Sequence, residues 1–314
     1  MTNQPGSSAR PGREPYRGPT SFLHAEKGEM RRTNWEFWPK ASKTDAEAEK
    51  AVEKDGVRAG DKSGAACAII VLRHLLSLLD PEDRKEVMSA ENLANSGVLS
   101  GALWFRPERS VAEVERRCSP GCSFEQLMEG KQMLDTIWAD PRFALSLPLF
   151  RDSDINLSRL LEIYLGARAD RGLLRWDGKE GSLSAWMGSR FAENYTPDSA
   201  TLKTIPGRPW VVRMRLSNTS KLRLYQDLAR FKVPRYQVAE EAVEGNPQYI
   251  KRGYDYYSCV AVVKLRDRDT ASDTLRLYSE KGTRLAFKFT FPWSEEWLVE
   301  DGGEYMLYFA RSST

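Results

Sequence analysis

The stretch AACAIIVLRHLLSLL, residues 65–79, constrains the fold more than any other part of the chain. Read as a helix it is apolar on nearly every side, and such a helix has to lie inside a domain with other elements packed around it. The neighbouring segments supply those elements, also at helical spacing. Thr44 is placed to cap DAEAEKAVEK. Asp80 and Pro81 open DPEDRKEVMSA, with proline at the first helical position, where its missing N–H costs nothing. Ser123 and Gln126 make a capping box ahead of FEQLMEGKQMLDTIWAD. In NLSRLLEIYLG, Leu157, Leu160, Leu161, Tyr164 and Leu165 share one face, and SLSAWMGSRFAENY reads as a further helix.

After residue 205 the texture changes. RPWVVRMRLS, RFKVPRYQV, YDYYSCVAVVKLR, DTLRLYSE, RLAFKFTF and GEYMLYFAR are rich in β-branched and aromatic residues and are separated by turn-like segments. Helices first and strands later define an α+β chain, with an antiparallel sheet against a helical half. We therefore expect a helical part over 34–204 and a β-rich part over 205–314, forming one domain. Within residues 1–33, the stretch 1–20 is rich in Gly, Pro, Ser and Arg and has almost no apolar residues. That composition does not bury enough surface to offset chain entropy, so a disordered basic arm is expected there.

Charge and cysteine content narrow the function classes. The arm carries six Lys/Arg against three Glu, which leaves 41 of the 47 basic residues facing 41 of the 44 acidic ones. A balanced domain has no overall basic footprint, so nucleic acid is not expected as its main partner, although a local basic face stays open. No apolar run approaches the roughly 20 residues of a membrane span, and no membrane association is expected. Four cysteines in 314 residues make no disulfide framework, which fits a cytoplasmic or nuclear protein.

Cys67 stands near the start of the apolar helix, where a helix N-terminus would favour a thiolate. The competing reading is a small buried core residue. A working nucleophile needs a base within about 3 Å. The chain has two histidines. His24 lies in the arm, and His74 lies seven residues along the same helix, about 10 Å away in rise. Cys118 and Cys122 in CSPGC lack a second pair for a zinc site, so no metal and no cofactor are expected. The carboxylates Asp267, Asp269 and Asp273 of DRDTASD, and Glu295 and Glu296 of SEEW, flank turns where charge usually only solvates a loop.

Several of these segments together resemble the catalytic domain of the ubiquitin-specific proteases. Tyr305, Leu307, Tyr308, Phe309 and Arg311 are similar to that family's closing strand, Tyr-x-Leu-Phe-Tyr-x-Arg/Lys. PWVVRMRL (209–216), FKVPRYQV (231–238) and YDYYSCVAVV (254–263) resemble three earlier strands of its β-rich palm, in the same order. Gly64, Cys67 and the apolar helix resemble its cysteine-bearing thumb. The resemblance implies a papain-like fold with a helical thumb and an antiparallel palm, here without the zinc-finger subdomain.

It also implies where the chemistry should sit, and there the chain departs. Aligned on Tyr278, Thr274 takes the family's histidine position and Asp273 the preceding glycine. Lys62 stands where the family has an oxyanion-holding asparagine, five residues before the cysteine. The final acidic partner would be one of Glu295, Glu296 or Asp301. Removing a triad member costs thousands-fold in rate, and removing an oxyanion donor costs roughly 3 kcal/mol more. The expectation is a catalytically inactive domain that binds a protein, either ubiquitin, a ubiquitin-like protein or another scaffold partner. In that reading Asp267, Asp269 and Asp273 would meet the basic tail of ubiquitin. The alternatives are an active hydrolase using Cys67 with an unconventional or partner-supplied base, and an unrelated assembly protein.

Overall fold

The apolar stretch forms helix α1, Ser63–Ser77, and 12 of its 15 residues are buried. The computed structural model describes residues 62–103, 107–140, 142–143, 149–151, 172–179, 181–192, 194–195, 202–204, 208–219, 225–238, 249–267, 272–285, 299 and 302–312. Short helices follow α1 in the chain: α2 (Pro81–Val87), α3 (Ala90–Asn95), α4 (Gly97–Ala102), α5 (Pro107–Arg117), α6 (Phe124–Met128) and α7 (Lys131–Asp135), of which α4, α5 and α6 pack against α1. Their starts follow the capping residues. Ser89 and Ser96 accept from the backbone N–H groups of Asn92 and Leu99, and Ser123 with Gln126 closes the full capping box. The segment after Ser123 is not one helix, however. It breaks at Glu129–Gly130, where Gly130 turns to an extended backbone and lies so near the Gln126 carbonyl oxygen that a Cβ would stand 2.4 Å from it.

The fold is mixed α+β with a mostly antiparallel sheet. Its main sheet runs in the order β2 (Leu173–Trp176), β5 (Val211–Ser217), β10 (Glu304–Arg311), β7 (Tyr249–Lys264), β8 (Thr274–Tyr278), β9 (Arg284–Leu285). A further strand, β6 (Arg230–Val238), pairs with β7, and among the described residues only β2 with β5 is parallel. Pro234 sits inside β6, which pairs with β7 alone among the described residues, the edge position in which proline is tolerated. A small second sheet joins β1 (Leu149–Arg151), β3 (Asn194–Tyr195) and β4 (Leu202–Thr204). Helix α8 (Leu183–Ala192) packs on β6, and α9 (Tyr225–Leu228) leads into it.

Alternation along the strands divides the interior into two cores. On β10, Met306, Tyr308 and Ala310 face α1 and the helical layer. Tyr305, Leu307 and Phe309 face the other way, into a cluster with Trp176, Leu183, Met187 and Phe231. This period of two is what a strand buried on both faces requires.

One reading of the sequence needs correction here. Strands β1, β2, β3 and β4 arise within 34–204, the stretch expected to be helical, and β2 lies inside the main sheet. Leu173 and Leu174 are buried on opposite faces of that sheet, which four residues achieve only as a strand. The arm at 1–33 and the helices expected at DAEAEKAVEK and NLSRLLEIYLG lie outside the described residues.

Candidate functional site

Helix α1 begins at Ser63, so Cys67 lies in its second turn rather than at its free N-terminus. The first intrahelical bond already joins the Ala66 N–H to the Lys62 carbonyl. The Cys67 amide is therefore not one of the exposed N–H groups that would favour a thiolate. The side chain is fully buried, and its thiol lies 3.6 Å from the backbone carbonyl of Asp273. Thr274, the first residue of β8, follows directly and is buried. Its Oγ1 has no hydrogen-bond partner among the described residues.

Asp273 is the hub of this corner. Its carboxylate accepts from the Phe124 N–H at 2.9 Å and from the Arg266 N–H at 3.0 Å. Its own N–H donates to Ser63 Oγ at 2.9 Å. Arg266 in turn donates to the Gly121 carbonyl at 2.8 Å. One residue thus ties together the start of α1, the start of α6 and the connection from β7 to β8. Gly64 permits this closeness, since a Cβ there would stand 2.2 Å from the Cys122 carbonyl oxygen. Asp273 has 0% exposure, so it is not the surface carboxylate that was expected to meet a basic peptide.

The remaining expected residues scatter. Asp267 is exposed, while Asp269, Glu295, Glu296, Asp301 and His24 lie outside the described residues. The Lys62 ammonium points to Glu115, 3.9 Å away, rather than forming an oxyanion donor beside Cys67. His74 is packed in the core with Nε2 2.9 Å from the Tyr278 carbonyl, so that nitrogen carries the proton and donates. Burial pulls its pKa down to about 4, which the backbone bond only partly offsets. Cys118 and Cys122 are half-buried free thiols, and no metal-ligand cluster occurs among the described residues.

Two features were missed in the sequence. On the helix-facing side of β5, the fully buried Arg213 side chain pairs with Glu129 and lies 4.3 Å from the Trp138 ring. Burial raises the Glu129 pKa, and Arg213 opposes that shift. This pair occupies the corner left where α6 and α7 separate. Neighbouring Arg215 pairs with Glu125 and Glu304. Beside it an open cleft of about 470 Å³ is lined by Arg175, Trp176, Trp186, Arg215, Ser217 and Glu304. The Trp176 and Trp186 rings stack there at 5.7 Å. The signal for both features was the alternation VVRMRL, whose arginines fall on a buried face of the strand.

The corner at Cys67 thus holds a buried thiol against the backbone carbonyl of Asp273, the residue before Thr274, while the His74 ring is engaged with the Tyr278 carbonyl and the Asp273 carboxylate with the Phe124 N–H. No family model, curated protein or solved structure matches the chain.

Proposed function

We propose that this is a non-catalytic domain of papain-like, ubiquitin-specific-protease-like organisation that works by binding a protein: ubiquitin, a ubiquitin-like protein or a scaffold partner. One observation carries the reading: the thiol of Cys67 rests against the Asp273–Thr274 corner of β8. In the resemblance, Thr274 holds the histidine position, so a helical cysteine and that strand position lie side by side without the imidazole. A hydroxyl of ordinary pKa does not deprotonate a thiol at neutral pH, and a sealed thiol does not meet a substrate. What the domain retains is a two-sided α+β body whose outer surface is free for partners.

Two measurements test this. A ubiquitin carrying a C-terminal electrophile should leave Cys67 unlabelled, alone and in cell extract. Labelling that Cys67→Ser abolishes would overturn the non-catalytic reading. Isotope-labelled ubiquitin titrated with the protein should shift around its basic C-terminal tail, with Asp267 as a contact. Unshifted spectra at high micromolar protein would remove ubiquitin as the partner.

A further inference from the structure

Beyond Tyr257 the register with β10 ends, and β6 and β7 continue as a two-stranded ribbon among the described residues. Lys232 stands opposite Tyr256 and Pro234 opposite Tyr254, so these side chains share one face. The Arg230 guanidinium lies 4.6 Å from the Tyr256 ring centre, and the Lys232 ammonium 4.5 Å from that of Tyr254. Arg230 and Lys232 are exposed, Tyr256 is half-buried, and Tyr254 is 37% exposed, the exposed large apolar side chain among the described residues. Arg252, two residues before Tyr254, is also exposed. The carboxylate in this stretch, Asp255, alternates to the other face and is held by Arg208 at 2.8 Å. Phe231, Val233 and Tyr257 fill the core behind the ribbon, which fixes which face looks outward.

We propose that this face binds a short single-stranded nucleic acid, with bases stacked on Tyr254 and Tyr256 and phosphates held by Arg230, Lys232 and Arg252. Two tyrosines at i and i+2 on a strand stand about 7 Å apart on the same side, a spacing an extended strand follows from base to base. The order Arg252-Gly253-Tyr254-Asp255-Tyr256 sets a cation, a glycine and two aromatics at the spacing used on base-stacking strands of RNA-recognition modules. Gly253 has φ of +127°, a conformation that glycine adopts without strain, at the bulge between Arg235 and Tyr236. An acidic peptide would use the cations but has no use for the rings, and the rings favour nucleobases. The balanced charge of the domain limits the footprint to a few phosphates, so affinity should be micromolar and sensitive to salt. This inference stands apart from the Cys67 corner and from the ubiquitin reading.

The test is fluorescence anisotropy of the full-length protein with labelled oligouridylate and oligothymidylate of about 12 nucleotides. Binding to either is expected to weaken with salt. Lys232→Ala or Arg230→Ala should each lower the salt slope by about 0.7. The double variant Tyr254→Ala, Tyr256→Ala should lose about tenfold or more in affinity with the slope unchanged. Tyr254→Phe with Tyr256→Phe keeps both rings and should bind as the parent does, which separates lost stacking from lost folding. The basic N-terminal arm is common to all variants, so its contribution cancels in the comparison. No anisotropy change up to about 100 μM protein overturns the proposal. Binding that ignores both tyrosines and is displaced by polyglutamate also overturns it, in favour of an acidic protein segment.

Discussion

Along β7, residues 259–263 are sealed between the two cores, whereas Tyr254 and Tyr256, a few residues upstream, stand on an outward face. The same strand therefore serves two purposes. At the sealed end, Val260, Ala261 and Val263 pack against the layer that contains α1, and the titratable groups Asp273 and His74 are drawn into holding elements together. Asp273 spends its carboxylate on two backbone N–H groups, and His74 spends its ring on a carbonyl. At the outward end, cations sit over rings. Titratable side chains buried in a corner become staples, and those left on a ribbon stay available for partners. Substitutions at the two ends should accordingly differ in size, and the order of their effects tests the contrast.

The largest loss is expected at Gly64. A side chain there meets backbone rather than a movable neighbour: the Cys122 oxygen at 2.2 Å and the Phe124 nitrogen at 2.8 Å. Overpacking of this kind forces two segments apart. Gly64→Val should destabilise by about 5 kcal/mol in urea unfolding, or prevent folding. A loss below about 1 kcal/mol would mean that α1 and residues 122–124 do not approach this closely.

Asp273→Ala comes next. It leaves the buried Phe124 N–H and the Arg266 N–H without their acceptor, and charge-assisted bonds of this type are worth about 1.5–3 kcal/mol each. A loss of about 4 kcal/mol is expected, with Asp273→Asn falling between the two proteins because it keeps one acceptor oxygen. If Asp273→Ala costs no more than an exposed substitution, the carboxylate is not the hub described here.

The third effect is read by pH rather than by an alanine. His74 is buried and neutral, with its folded pKa pulled from 6.5 to about 4. A pKa lowered by folding means that the unfolded chain takes up the proton first. The stability this histidine permits is therefore complete above about pH 6.5 and is lost as pH falls from there towards 4, by roughly 3 kcal/mol. His74→Gln can donate to the Tyr278 carbonyl and does not titrate, so the difference between variant and parent should shrink across that window. A constant difference would show that His74 is not the titrating group.

The sheet was more legible in the sequence than the corner it supports. Tyr305, Leu307 and Phe309 alternate with Met306, Tyr308 and Ala310, and that period marks a strand buried on both sides whatever its neighbours are. The boundaries of β6 agree with RFKVPRYQV because proline on an open edge does not interrupt pairing. Strand β2 escaped because its four residues, LLRW, are too few to show a period. The role of Asp273 escaped for a different reason. Its partners are Ser63, Phe124 and Arg266, and two of the three lie more than a hundred residues away in the chain. A loop of alternating acids reads as solvated surface until the fold closes over one of them. The three arginine–glutamate contacts of β5 were hidden likewise, since charge on a strand signals an outward face unless a partner is buried with it.

The smallest effects are expected on the ribbon. Tyr254→Ala removes a ring that is 37% exposed, and surface changes of this kind usually stay within about 0.5 kcal/mol. Lys232→Ala removes the cation 4.5 Å from that ring, a contact worth about 0.5–1 kcal/mol at an exposed site. A double-mutant cycle on Lys232 and Tyr254 should give a coupling below about 1 kcal/mol for stability. The same pair should matter far more for ligand binding, because the ring and the cation contact different parts of one bound strand. A stability coupling as large as the losses at Gly64 or Asp273 would make the ribbon face another staple, and the difference between the two ends of β7 would then vanish.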